Sequence, residues 1–306
     1  MAEAPPAGRT GERCGYVAIL GAPNAGKSTL LNQLVGAKVA IVTPKVQTTR
    51  FRVTAIAVED AAELVFVDTP GIFEPKRRLE RAMVAAAWSG AGDADILLLV
   101  VDAARGIDGD TRRIAERLAG QGRPAILALN KVDAVARPTL LGLAQELNGI
   151  ARFAATFMVS ALKGDGVGDL RRELAAMLPQ GPWLYPEDQL ADMSERLLAA
   201  EITREQVFLK LHDELPYASM VETEGWQERK DGSVRIEQVI YVAKDSQKPI
   251  VLGKGGRTVK AIGAAARAEL ERLFERRVHL FLFVKVREGW SDDPEHYRTM
   301  GLDFPK

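Results

Sequence analysis

The run Gly21-Ala22-Pro23-Asn24-Ala25-Gly26-Lys27-Ser28 lies between an apolar stretch, 17–20, and a helix-like stretch, 29–35. A loop between a strand and a helix is the context a phosphate cradle needs. Glycine permits close backbone approach, and loop N–H groups with the helix N-terminus receive phosphate oxygens. A lysine at position 27 can reach the β- and γ-phosphates, and the Ser28 hydroxyl can ligate Mg²⁺. Gly21, Asn24, Ala25, Gly26, Lys27, Ser28 and Thr29 are therefore the candidate phosphate-binding residues.

Three further runs follow apolar stretches in the same way. Asp68-Thr69-Pro70-Gly71 comes after 64–67. Asp68 can hold Mg²⁺ through water, and the Gly71 N–H can meet a γ-phosphate. Asn130-Lys131-Val132-Asp133 comes after 125–129. The Asp133 carboxylate can accept from both N1–H and the 2-amino group of guanine. Adenine offers neither donor and would leave that charge unpaired, so the run selects guanine. Lys131 can lay its stem along the base, and Asn130 can tie the loop together. Ser160-Ala161-Leu162 comes after 157–159, where the Ala161 N–H can reach the guanine 6-oxygen.

Between the phosphate loop and Asp68 lies Pro44-Lys45-Val46-Gln47-Thr48-Thr49-Arg50. A threonine hydroxyl here would ligate Mg²⁺ only with a γ-phosphate present, which makes the segment a nucleotide sensor. Thr49 is the first candidate and Thr48 the alternative. The residue after Gly71 is Ile72, where Ras-like enzymes carry a water-orienting glutamine. Ile72 has no group to orient water, so slow intrinsic turnover is expected and the catalytic residue stays unassigned.

These runs need strands to carry them. Short apolar stretches at 17–20, 51–58, 64–67, 96–101, 125–129 and 157–159 alternate with helix-like stretches, which predicts an α/β fold with a mainly parallel sheet covered on both faces. Ligands in such folds sit beyond the carboxyl ends of the strands, where all four runs fall. The chain, 306 residues with 47% hydrophobic content, is long enough for two domains. Three prolines and a glycine between 178 and 186 mark a break. The expected organisation is a tail over 1–14, a nucleotide-binding domain over 15–178, a linker over 179–189, a smaller α+β domain over 190–290 and a tail over 291–306.

In the second part the pattern predicts a helix over about 190–212, strands over 219–228 and 234–242, a Gly-rich break, a helix over 258–274 and a strand over 278–286. The break is Gly253-Lys254-Gly255-Gly256, followed by Arg257 and Lys260. A Gly-x-x-Gly loop opening a helix lets an RNA backbone approach while basic side chains meet phosphates. The element order around it resembles a type II KH domain. Net charge is zero, with 41 basic and 41 acidic residues, yet 244–287 holds eleven Lys or Arg against four acids, a net of +7. Gly253, Lys254, Gly255, Gly256, Arg257 and Lys260 are the RNA-binding candidates.

Taken together, these motifs resemble the Era family of bacterial ribosome-assembly GTPases, over about 15–287. The phosphate loop, Gln47-Thr48-Thr49-Arg50, Asp68-Thr69-Pro70-Gly71-Ile72 and Glu214-Leu215-Pro216-Tyr217 carry the likeness. Most relatives have Val where Ala25 stands. The resemblance implies a Mg²⁺-dependent switch that binds GTP and GDP and hydrolyses GTP. It also implies binding to small-subunit ribosomal RNA and the ribosomal subunit, and peripheral association with the inner membrane. Asn24 resembles the residue that helps some GTPases hold K⁺. The competing expectation is a regulatory GTPase acting mainly through a protein or membrane partner.

One cysteine, Cys14, excludes an intrachain disulfide framework and a cysteine-rich zinc site, and suits a reducing compartment. No run of about 18 apolar residues occurs. A cytoplasmic, monomeric protein is the expectation.

Overall fold

The computed structural model describes residues 11–46, 48–50, 52–290, 293–299 and 301–305. Most of the expected N-terminal tail, together with Gln47 and Phe51, lies outside the described residues.

The chain divides into two compact units. One comprises Met1–Ala40, Thr49–Asp192 and Met300–Lys306, and the other Ile41–Thr48 and Met193–Thr299. The first unit runs β1 (Arg13–Leu20), α1 (Lys27–Val35), β2 (Val53–Glu59), β3 (Ala62–Asp68), α2 (Arg78–Asp93), β4 (Ile96–Asp102), α3 (Gly109–Ala119), β5 (Ala125–Asn130), α4 (Arg137–Ile150), β6 (Ala155–Val159) and α5 (Val167–Met177). Its sheet has the order β2-β3-β1-β4-β5-β6, parallel except for the β2–β3 pair.

The apolar strands bury both faces. Leu97, Leu99 and Val101 of β4 and Leu127 and Leu129 of β5 pack with Ala87, Ile114, Leu118 and Leu147 from α2, α3 and α4. Their alternates, Leu98, Val100, Ile126 and Ala128, are equally buried, and α1 and α5 cover the sheet over β2 and β3. Such runs are continuous rather than alternating because neither face meets water. The register then aligns the strand ends: Ile19 pairs with Asp68, Asp102 with Asn130, and Asn130 with Val159. All four candidate runs therefore leave the sheet on the same side.

The second unit contains α6 (Glu195–Lys210), β7 (Ser219–Glu228), β8 (Val234–Val242), α7 (Lys248–Leu252), α8 (Arg257–Phe274), β9 (Val278–Val286) and α9 (Pro294–Thr299). Its sheet has the order β7-β8-β9, with β7 antiparallel and β9 parallel to β8. Val207, Ile240, Val251, Ile262 and Val284 form one apolar cluster, and Ile202, Ile236, Leu270 and Val278 another.

Local readings differ from the structure in three places. Helix α6 begins at Glu195, with Ser194 as its cap, rather than near 190. Residues 190–192 instead run beside β2, where the Ile56 N–H donates to Leu190 and the Asp192 N–H to Thr54. The Gly-rich break is preceded by the five-residue helix α7, which Pro249 starts and Gly253 stops. Ile41–Thr48, expected within 15–178, belongs to the second unit. Ile41 packs there with Ala199, Ile202 and Val234, and the Val42 N–H donates to Glu205 Oε1 at 2.8 Å.

The expected linker is tied down within the first unit. Glu63 of β3, fully buried, accepts from the Leu184 N–H at 2.7 Å, the Tyr185 N–H at 3.0 Å and the Cys14 thiol at 3.0 Å. Burial, with the Glu63 contact, pushes the Cys14 thiol up to about 12. Almost no reactive thiolate therefore exists at neutral pH, consistent with a structural residue.

Candidate nucleotide and RNA sites

The phosphate loop is a wound segment between β1 and α1. Lys27 is the first residue of α1, and its ammonium donates back to the carbonyls of Gly21 at 3.0 Å and Ala22 at 3.1 Å. It is buried, and that burial lowers its pKa to about 8 against the opposing pull of Asp68. Gly26 has φ +93°, and a Cβ there would lie 2.2 Å from Asn130 Nδ2. Glycine is thus required for Asn130 to donate to the Ala25 carbonyl at 2.9 Å. The same Asn130 amide accepts from the Ala161 N–H at 2.9 Å. One side chain fastens the phosphate loop, the Asn-Lys-x-Asp run and the Ser-Ala-Leu run together.

Three oxygens converge beside Lys27. The Ser28 hydroxyl donates to Asp68 Oδ2 at 2.8 Å and lies 2.9 Å from the Thr49 hydroxyl, which is 3.2 Å from the same Asp68 oxygen. Asp68 is fully buried, and its other oxygen, Oδ1, has no hydrogen-bond partner among the described residues. Burial raises the Asp68 pKa, against Lys27, Ser28 and Thr49. A fully buried carboxylate oxygen without a partner is costly unless a cation or water completes it. Thr48 does not join the cluster. Its hydroxyl sits 2.7 Å from that of Thr43 and donates to the Lys45 carbonyl, within the second unit. There the Lys45 ammonium donates to the carbonyls of Phe208 and Leu211, and Arg204 donates to the Thr48 carbonyl.

Gly71 lies against Pro23, and the Ile72 N–H donates to the Gly21 carbonyl at 3.1 Å. The Ile72 side chain is buried. On the base side, Lys131 adopts φ +65°, and its ammonium donates to the Asn24 carbonyl at 2.8 Å and to Asp102 Oδ2 at 2.6 Å. Asp133 is exposed, and its hydrogen bond with Ser160 holds its carboxyl below the usual range, assisted by Lys163 with an ammonium 4.0 Å away. Ser160 and Ala161 are buried. Asp102 was not among the sequence candidates; an acid closing the otherwise apolar β4 was its available signal.

In the second unit, Gly253 (φ +72°) could not carry a Cβ, which would meet the Thr258 hydroxyl at 2.2 Å. Gly255 and Gly256 also take positive φ, and Gly256 caps α8, whose first turn has no acid. Lys254, Arg257 and Lys260 are exposed. The loop and helix start thus offer backbone N–H groups and three cations with no acid in the turn.

A phosphate loop, an aspartate run at the neighbouring strand end and a guanine-type run on one mainly parallel sheet define the class: a P-loop GTPase joined to a KH-like unit. A family model described as 50S ribosome-binding GTPase matches residues 16–131, and a KH domain model matches 214–291. GTPase Era of Sinorhizobium medicae is 63% identical over 294 residues, covering 96% of this chain and 95% of that protein. GTPase Era of Brucella melitensis is 62% identical over 296 residues, with 97% and 95% covered. A variant of Aquifex aeolicus Era bound to GDP and AlF4⁻ superposes with a TM-score of 0.89 at 37% identity, covering 94% of this chain and 99% of that one. A structure of Era in complex with MgGDPNP and nucleotides 1506–1542 of 16S ribosomal RNA gives the same TM-score and identity over 95% and 99%. The chain belongs to the Era family of GTPases.

Proposed function

We propose that this chain is a Mg²⁺-dependent GTP-hydrolysing switch that binds small-subunit ribosomal RNA through the loop 253–256 and assists maturation of the small subunit. The observation that carries the enzymatic half is the Ser28–Thr49–Asp68 cluster near Lys27, with a buried carboxylate oxygen that has no partner among the described residues. Those oxygens fit Mg²⁺, with Asp68 reaching it through water; the ion would neutralise charge on the β- and γ-phosphates. Lys27 would exchange its loop carbonyls for phosphate oxygens, which favour its charged form. Gly21, Asn24, Ala25, Gly26 and Thr29 would supply the rest of the cradle, and Gly71 would meet the γ-phosphate. Asn130, Lys131, Asp133, Ser160 and Ala161 would hold guanine.

Ile72 supports slow intrinsic turnover, because its N–H is spent on Gly21 and its side chain is apolar. We assign K⁺ to Asn24 as the further cation of the phosphate site, where positive charge would stabilise the transition state. The RNA half rests on the Gly-rich turn with Lys254, Arg257 and Lys260 exposed at a helix N-terminus, and on the relative solved with 16S ribosomal RNA. The chain would act as a cytoplasmic monomer, a fraction of it on the inner face of the membrane. Among the described residues no helix is long and apolar enough to cross a membrane, so that association would be peripheral.

Base selection gives the test. Asp133→Asn replaces an acceptor-only carboxylate by an amide that mismatches guanine and suits xanthine. GTP affinity should fall and xanthosine triphosphate affinity rise; a wild type that binds ATP as tightly as GTP would refute the assignment.

A further inference from the structure

Ile72 leaves GTP hydrolysis without the side chain that orients water in Ras-like enzymes. GTPases also gain rate from an arginine that meets the charge of the transferring phosphoryl group, supplied by a partner or by the same chain. The turn after β4 carries a candidate. Asp102 winds that turn: its Oδ1 accepts from the N–H groups of Ala104 at 3.0 Å and Arg105 at 3.3 Å, and its carbonyl accepts from the Gly106 N–H at 3.0 Å. Gly106 closes it at φ +75°. The other Asp102 oxygen holds the Lys131 ammonium, which reaches the Asn24 carbonyl. The same turn brings Arg105 to the neighbouring residue of the phosphate loop, where Nη1 donates to the Pro23 carbonyl at 3.3 Å.

Pro23 borders the residue read as the γ-phosphate contact, because a Cβ on Gly71 would lie 3.1 Å from the Pro23 ring and backbone. Of the cations touching the phosphate loop, Lys27 is buried against the Gly21 and Ala22 carbonyls, and Lys131 is engaged at 2.8 and 2.6 Å. Arg105 is held more loosely. Its side chain is 45% exposed, Nη1 pairs with Asp108 Oδ2 at 3.4 Å, and Nε and Nη2 make no hydrogen bond among the described residues. Asp108 is also the cap of α3, where Oδ1 accepts from the Thr111 N–H at 2.8 Å. A long, half-exposed ion pair contributes little to folding. The backbone of the turn is fixed, and its guanidinium is free to move.

We propose that Arg105 is a catalytic residue supplied in cis: in the transition state its guanidinium leaves Asp108 and donates to oxygens of the transferring phosphoryl group. This role rests on the reading of 21–28 and 68–71 as the GTP site. Water attacks the γ-phosphorus, the bond to the β–γ bridging oxygen breaks with its electron pair staying on GDP, and the water proton ends on the released phosphate. Arg105 gives up no proton, since a guanidinium stays charged in proteins.

GTP turnover, GDP affinity and GDP·AlF4⁻ affinity together separate this role from a brace on the loop; AlF4⁻ stands in for the transferring phosphoryl group. Arg105→Ala should lower kcat at least about tenfold, short of the ~10²–10³ of a fixed oxyanion donor because Arg105 must break an ion pair in every turnover. Affinity for GDP·AlF4⁻ should fall by a similar factor, with KM and GDP affinity within about twofold of wild type. Arg105→Lys should restore part of the loss, because it keeps the charge but not the planar fork. Asp108→Asn keeps a capping side chain and releases Arg105, so its turnover should match or exceed wild type. Equal kcat in wild type and Arg105→Ala would overturn the proposal. Parallel losses of kcat and GDP affinity, or an Asp108→Asn variant as slow as Arg105→Ala, would overturn it in favour of a structural brace. A wild type that neither binds GDP nor hydrolyses GTP contradicts the nucleotide-site reading itself, whereas one that does both beside an indifferent Arg105→Ala contradicts the arginine alone.

Discussion

The proposed nucleotide site and the proposed RNA loop are both built on glycine-rich turns that open helices, yet they are constructed in opposite ways. Lys27, Asp68, Asn130 and Ser160 are buried; Lys27 donates to its own loop, Asp68 accepts from Ser28, and Asn130 bridges the Ala25 carbonyl and the Ala161 N–H. Lys254, Arg257 and Lys260 stand exposed around Gly253–Gly256. The first site is preorganised, so removing one member leaves buried partners unsatisfied. The second offers backbone access and a local positive field, so as an RNA site its changes should be graded and salt-dependent.

Asn130→Ala tests that contrast most severely. It strips the Ala25 carbonyl and the Ala161 N–H of their side-chain partner at once, at a cost of about 1–3 kcal/mol for each buried group left unpaired. Guanine-nucleotide affinity should fall by more than about a hundredfold and the melting temperature should drop. An affinity within a few-fold of wild type, read by calorimetry, would mean that the three loops hold without this tie.

Lys254→Asp with Gly255→Asp should affect only the other region. Gly255 has φ +62°, a Cβ there would meet open space, and aspartate tolerates that conformation better than most residues. RNA affinity should fall by roughly tenfold or more at low salt, with basal GTP turnover and melting temperature near wild type. Loss of turnover in a folded variant would dissolve the separation between the two sites.

These two regions were also unequally legible. The nucleotide motifs could be placed because each follows an apolar strand, and a parallel sheet brings strand ends together whatever the loop details. The pairing of Lys131 with Asp102 needed the β4–β5 register, and the three-way role of Asn130 needed the actual loop paths. The strands at 219–228, 234–242 and 278–286 were readable from alternation. Three other features rest on contacts distant in sequence: the passage of 41–48 into the second unit, the start of α6 at Glu195, and the anchoring of 184–185 by Glu63. No local pattern encodes such pairings.

A subtler effect distinguishes the sites by cation substitution. GTP turnover should rise severalfold when K⁺ replaces Na⁺ at equal ionic strength, and Asn24→Ala should abolish the difference, while RNA affinity should be indifferent to the exchange. Matching rates in both salts would remove K⁺ from the account and leave the remaining assignments standing.

The smallest expected effect is protonic. The Lys27 pKa is about 8 in the folded protein against an ordinary 10.5. Between those values the unfolded chain binds more protons than the folded one, so this group makes stability rise with pH across that window; below about 8 its burial cost is fully present. A bound phosphate favours the ammonium and raises the pKa again. Guanine-nucleotide binding should therefore take up protons near pH 9, by up to about one, and almost none at pH 7. Calorimetry in buffers of different ionisation enthalpy reads that uptake, and equal uptake at both values would contradict the buried-lysine description.

Crosslinking to RNA in cells followed by sequencing shows whether one nucleotide switch acts on one RNA target. The wild-type chain should enrich small-subunit ribosomal RNA, with reads concentrated towards the 3′ end, and the Lys254→Asp, Gly255→Asp variant should lose that enrichment. Reads spread without preference for ribosomal RNA, or an unchanged pattern in the variant, would contradict it.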